Sequence, residues 1–222
     1  MWDRALFPAE AAKHSNLTIE RARYLFDERE GATTKDEVSG ANATLSGGVA
    51  WAGTPDDPDD PNHIPTSADK WARFDSTGHV TGPRPANLRT DRSFTLTAWV
   101  RRGRAEAEGT VLGLGDEGFG LLYRSDIDRW AVRLGGDVLL GNLPTGAEWT
   151  HLAIAFDSAT GTAVFYVDGV AQLDRRTGLQ LADVPGDLVV GRGFTGAIDD
   201  PRVFSGALDL GSVVDVCTST TH

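Results

Sequence analysis

Short stretches of alternating apolar and polar residues, set between glycine, proline and aspartate, recur along this chain. From Phe94 to Val100 the alternation places Phe94, Leu96, Ala98 and Val100 on one face of a strand, and Thr95, Thr97 and Trp99 on the other. From His151 to Asp157 the apolar face is Leu152, Ile154 and Phe156. Val164 to Val167 leads into Asp168-Gly169 and then Val170 to Leu173. Asp-Gly between two strand-like runs predicts a hairpin, because both central residues of a type I′ turn need positive φ. Leu188 to Val190 and Ala197-Ile198 bracket a glycine-rich turn near the end. With 26 glycines punctuating it, this spacing predicts a strand-rich fold.

Helical periodicity is scarce. Pro8 to His14 predicts one short N-terminal helix, with proline in the first turn, glutamate after it and alanines beyond. Pro55 to Pro65 predicts an extended surface loop, since its prolines remove ladder donors and its aspartates repel one another. Two stretches match the glycine spacing of a dinucleotide loop, Gly113 to Gly118 and Gly191 to Gly196. That chemistry needs a helix N-terminus facing the pyrophosphate. Both stretches run instead into strand-like residues, so both are expected to be hairpin turns.

The two ends of the chain echo each other. Trp2 to Glu10 and Phe204 to Ser212 each read as an aromatic, two polar or small residues, Ala-Leu, and the start of a short helix. Either residues 2 to about 17 are the tail of a preceding similar module in a tandem array, or the likeness is chance.

The 222 residues suit one large all-β domain or two small ones, and 40% hydrophobic with 24% charged residues is the balance of a soluble globular protein. The formal charge of −11 makes nucleic acid and anionic membrane poor partners, while leaving divalent cations open. Cys217 is the sole cysteine, so no internal disulfide forms. No cysteine or Cys/His spacing spells a zinc site. No apolar run is long enough to insert into a membrane, and Met1 to Glu10 lack the pattern of a secretory signal.

Seven motifs in order carry a resemblance. They are Tyr24 to Gly31, Lys35 to Leu45, Trp71 to Asp75, Ser93 to Arg101, Glu148 to Ala153, Phe165 to Gly169 and Gly196 to Asp200. Together they resemble bacterial laminin-G-like jellyroll modules of the concanavalin A-like lectin class. The resemblance implies an all-β, two-sheet antiparallel β-sandwich over residues 21–218, with a tail or short helix at 1–20 and a tail at 219–222. It also implies an extracellular or cell-surface setting, a carbohydrate or protein ligand, and frequently calcium; the echo between the two ends is what would add neighbouring modules in the same chain.

On that reading Asp27 and Glu28 stand at the first-strand position, Asp36 in the following loop, and Asp199 and Asp200 at the closing strand, as ligands of a structural calcium ion. Adjacent strand residues face opposite ways, so only one of Asp199 and Asp200 points inward. That carboxylate needs a cation, an arginine such as Arg202 or Arg192, or backbone donors. The acidic insertion that pentraxins carry before their closing motif is missing from Leu188 to Gly196. Asp56 to Asp60 could hold a second cation or serve as a spacer. Trp130 and Trp99 are the candidate ligand-binding aromatics, weighed against core packing.

Catalysis has less support. There is no serine nucleophile elbow, and the five histidines are scattered. His151, on a strand, reads as structural. The nearest approach to paired glycosidase carboxylates is Glu106-Ala107-Glu108, in a loop rich in arginine, alanine and glycine. Asn16 and Asn42 match glycosylation acceptors, which a bacterial type of composition discounts. The sequence therefore reads as a non-catalytic module that recognises carbohydrate. A protein-interaction or spacer module is the alternative, and a sandwich glycanase the remote one.

Overall fold

The computed structural model describes residues 18–53, 70–103, 108–115, 119–143 and 148–220. The expected helix at Pro8 to His14, the Trp2 echo, the Asp56 to Asp60 loop, and Glu106 and Ala107 lie outside the described residues.

Among the described residues the strands are, in chain order, β1 (Ile19–Arg23), β2 (Thr33–Lys35), β3 (Asn42–Ser46), β4 (Val49–Ala52), β5 (Trp71–Phe74) and β6 (His79–Gly82). Then come β7 (Phe94–Arg102), β8 (Gly109–Leu114), β9 (Phe119–Arg124), β10 (Arg129–Leu134) and β11 (Asp137–Leu140). The last are β12 (Thr150–Asp157), β13 (Thr162–Val167), β14 (Val170–Arg176), β15 (Leu188–Val190) and β16 (Gly196–Ser205), followed by a helix at Leu210–Thr218. One sheet runs β14-β13-β12-β7-β16-β5-β4, with β1 paired to β16 beside β5. The facing sheet runs β11-β10-β9-β8-β15-β6-β3-β2. The pairings are antiparallel, giving the expected two-sheet sandwich.

The alternation sets the core. Phe94, Leu96, Ala98 and Val100 of β7 and Leu152, Ile154 and Phe156 of β12 meet Leu112, Leu121, Val132 and Val190 of the facing sheet, all buried. Asp168 and Gly169 take φ of 50° and 72°, so β13 and β14 close the predicted type I′ hairpin.

Three details differ from the sequence reading. The first strand ends at Arg23, before the segment taken for it; Tyr24 makes a lone bridge to Asp36, and Phe26 at φ 53° leaves extended backbone. β1 itself begins at Ile19, two positions ahead of the expected domain start. The stretch from Gly191 to Gly196 is no hairpin, for β15 and β16 belong to opposite sheets and these residues carry the chain across. Gly191 is required there: at φ 79° a Cβ would lie 2.1 Å from the Phe74 ring. Of the Gly113 to Gly118 stretch, residues 116–118 lie outside the described residues; the strands on either side of them, β8 and β9, pair antiparallel.

The outer side of the first sheet is also partly apolar. The helix, capped by Asp209 accepting from the Ser212 amide at 2.8 Å, lays Val213 onto Ala153, Ala155 and Tyr166. At the sandwich edge, Asp174 of β14 accepts from the Leu140 amide at 2.9 Å, and Arg176 donates to the Val138 carbonyl at 3.3 Å. Side chains of one edge strand thus occupy backbone groups of the other.

Candidate functional site

The expected calcium ligands divide into two groups. Asp27 is exposed, with its carbonyl accepting from Lys70 Nζ at 3.0 Å, and Glu28 accepts from the Lys35 amide at 3.1 Å. Asp36 is buried and engaged by backbone donors: the amides of Arg23 at 2.9 Å, Val38 at 3.0 Å and Ser39 at 3.3 Å, besides the Ser39 hydroxyl.

Asp199 and Asp200 sit on a bulge of β16, where its neighbour on one side changes from β5 to β1. Asp200, 3% exposed and at φ 46°, accepts from Arg23 Nε at 2.8 Å, Arg202 Nε at 2.9 Å and Thr220 Oγ1 at 2.6 Å. Burial works to raise its pKa, but the hydrogen bonds from Arg202 and Arg23 outweigh burial and hold it below the ordinary carboxylate range. Glu20 alongside is pushed up, chiefly by burial, against the pull of Arg202 and Arg23.

The five acids therefore do not fit a calcium ion. Among the described residues no three or more histidine, cysteine, aspartate or glutamate side chains are grouped to hold a metal. A divalent ion beside Asp200 would meet two guanidinium groups where it needs oxygen ligands. Arginine takes the place that the sequence left open to a cation, an arginine or backbone donors.

A second constellation forms on the outer face of the first sheet, beyond the helix. Registration puts Arg73 opposite Ala197 and Ala197 opposite Arg101, with Trp149 one residue ahead of the Thr150–Val100 pair. In the next row His151 and Asp199 flank Trp99 on its two neighbouring strands, and Trp71 pairs with Ala52. Trp71 and Trp149 meet edge to face, with centroids 5.6 Å apart at 75°. The Arg101 guanidinium lies 5.0 Å from the Trp71 ring centroid and 5.3 Å from that of Trp149. Trp99 contacts His151 edge to face at 5.3 Å.

Trp71 is buried; Trp99, Arg101 and Trp149 are half-buried. Trp71, Ala52 and Ala197 with Trp149 make an apolar cluster separate from the main core. Each aromatic pair contributes about 0.5–1.5 kcal/mol beyond burial, and each cation–π contact about 0.5–2 kcal/mol. The rings are thus held before any ligand arrives. Half-buried rings present apolar surface to the C–H face of a sugar, and guanidinium donors suit its hydroxyls.

His151 is buried, and its amide donates to Asp168 Oδ1 at 2.8 Å. Burial raises Asp168, with the His151 amide opposing and Glu148 adding to the rise. Glu108 pairs with Arg133 at 2.6 Å and Arg124 at 3.2 Å, so it is an ion-pair partner.

Residues 74–213 match the family model described as the concanavalin A-like lectin/glucanases superfamily, more than half of the chain. The chain belongs to this superfamily. Its sandwich resembles domain 4 of an extracellular arabinanase from Geobacillus stearothermophilus, solved with arabinotriose, at TM-score 0.59 and 18% identity, covering 90% of this chain and 99% of that one. It also resembles the binding domain of a paraclostridial mosquitocidal protein, at TM-score 0.65 and 16% identity, covering 90% of this chain and 52% of that one. Trypanosoma rangeli sialidase in complex with sialic acid matches at TM-score 0.62 and 14% identity, covering 89% of this chain and 32% of that one. The chain thus spans about half and a third of the last two. At these identities the likeness is one of fold. No curated protein sequence matches the chain.

Within this superfamily member the two aromatic candidates part ways. Trp130 is 1% exposed, edge to face with Tyr123 at a centroid distance of 5.5 Å and tilted against Phe194 at 6.4 Å, so it belongs to the core and not to a ligand surface. Alternation turns Ala131 and Arg133 outward instead, neither being part of the core cluster that holds Trp130, Val132 and Leu134. Trp99 lies on the outer face, as the alternation of β7 required. Its neighbours Trp71, Trp149 and Arg101 were not recognised as a set, because only strand order and register bring β5, β7 and β12 into one surface.

Proposed function

We propose that this sandwich is a non-catalytic module that binds carbohydrate across the Trp71–Trp99–Arg101–Trp149 face. One observation carries the reading: these side chains share the outward face of a single sheet, with Arg101 over both Trp71 and Trp149, Trp99 against His151, and Trp99, Arg101 and Trp149 still partly open to solvent. The arabinanase domain with its arabinotriose supports the ligand class, and its extracellular parent supports a secreted or surface setting. No helix among the described residues is long and apolar enough to cross a membrane.

Native affinity gels cast with a panel of soluble polysaccharides, arabinan included, test this. Retardation of the wild-type chain by at least one polysaccharide, lost in Trp149→Ala and Trp99→Ala with their circular dichroism intact, is the expected result. Retardation that survives both changes would remove this face from the reading.

A protein-contact role rests on different residues. Val170 and Leu173 of edge strand β14 are exposed, Leu173 fully, as is Val214 of the helix. Silence on every polysaccharide, together with capture of a protein partner that Leu173→Glu abolishes, would favour that role.

A further inference from the structure

The helix at Leu210–Thr218 is fixed at few points. Val213 is its one fully buried side chain, set against Ala153, Ala155 and Tyr166. At its far end the attachment is polar. Arg202 Nη2 donates to Ser219 Oγ at 2.9 Å and to Thr220 Oγ1 at 3.2 Å, and Thr220 Oγ1 donates to Asp200 at 2.6 Å. A single apolar plug and a hydroxyl clasp are a small attachment beside the two facing sheets, so local opening of the helix costs less than unfolding the sandwich.

What lies beneath is continuous with the tryptophan face. Along β12, Leu152, Ile154 and Phe156 point into the core, while His151, Ala153 and Ala155 alternate to the outside. His151 touches Trp99; Ala153 and Ala155 lie under the helix. The helix passes close to the same place: a Cβ added at Gly169 would lie 3.2 Å from Val214, and the adjacent Asp168 accepts from the His151 amide at 2.8 Å.

We propose that the C-terminal helix is a clasped lid that opens independently of the sandwich and, on opening, prolongs the tryptophan face through Ala153 and Ala155 of β12 and Tyr166 of β13. The extension of a ligand face rests on the carbohydrate reading above; the opening of the lid does not.

Native-state hydrogen exchange on the full chain, without ligand, tests the lid. In the wild type, the amides of Val213 to Thr218 should exchange at least tenfold faster than those of Leu96 to Val100 and Leu152 to Phe156. The Ser219→Ala/Thr220→Ala double variant should speed the helical amides a further tenfold or more, with the strand amides unchanged. Val213→Ala, which leaves the clasp intact, should speed the same helical set. Helical and strand amides exchanging together in the wild type, or helical rates that neither variant changes, would overturn the lid, whatever the affinity gels show.

Discussion

Arg23 Nε donates to Asp200 Oδ1 across 2.8 Å, although 177 positions separate the two in the chain. The strand that opens the described sandwich is thereby joined to the one that closes it. Arg202 completes the pairing from the other side of the same bulge. Removing Asp200 leaves two guanidinium groups around an emptied buried site. Asp200→Ala should therefore destabilise the fold by about 3–5 kcal/mol. Urea unfolding monitored by tryptophan fluorescence measures this; a loss below about 1 kcal/mol would show that the network is ornamental.

The same cluster sets the acid response, with two opposite signs. Asp200 is held below its ordinary value, so its contribution is present above the unfolded carboxylate range and is lost as pH falls through its depressed folded value. Glu20 is raised, so its charge opposes folding at neutral pH, and that opposition disappears as pH falls through the raised value. Glu20→Gln should raise the urea midpoint at pH 7 and leave it close to wild type at pH 4. A lower midpoint at pH 7 would contradict the sign.

Calcium should have little to act on. With the carboxylates of Asp36 and Asp200 occupied by N–H donors and arginines, millimolar calcium or excess chelator should move the thermal midpoint by less than ~1 °C, since only a ligand favouring the folded state shifts it. A rise of several degrees on adding calcium would restore the metal reading.

Two tryptophans should behave differently on truncation. Trp130→Ala opens a cavity among Tyr123, Phe194 and the central strands, at a cost of about 3–5 kcal/mol. Trp149→Ala removes a half-buried ring and should cost about 1–2 kcal/mol, while lowering polysaccharide affinity at least tenfold. Equal stability losses would place both rings in one environment.

Gly191→Ala should cost about 2 kcal/mol or more, because the new Cβ meets the Phe74 ring and the backbone stays at φ 79°. A neutral outcome in thermal unfolding would show that the crossing between sheets can relax.

Much of this fold was legible because its signals are local. Period-two alternation fixed both faces of β7 and β12, and Asp168-Gly169 fixed a turn. The site was less legible. A partner was expected for whichever of Asp199 and Asp200 points inward, with Arg202 among the choices; Arg202 engages Asp200, but Arg23 lay far off in sequence and calcium came from resemblance alone. Trp130 follows Asp128-Arg129, which looks like a turn, so exposure was considered; strand β10 continues through it and turns the ring inward. The tryptophan–arginine face depends on strand order, since β5, β16, β7 and β12 are neighbours across the sheet but not along the chain.

The face itself is tested most directly by its indole N–H signals. The oligosaccharide form of whichever polysaccharide retards the chain should be titrated into 15N-labelled protein. The indole resonances of Trp71, Trp99 and Trp149 should shift together along one saturating curve while that of Trp130 stays fixed. Shifts confined to other residues, with these three indoles unmoved at saturation, would contradict the assignment.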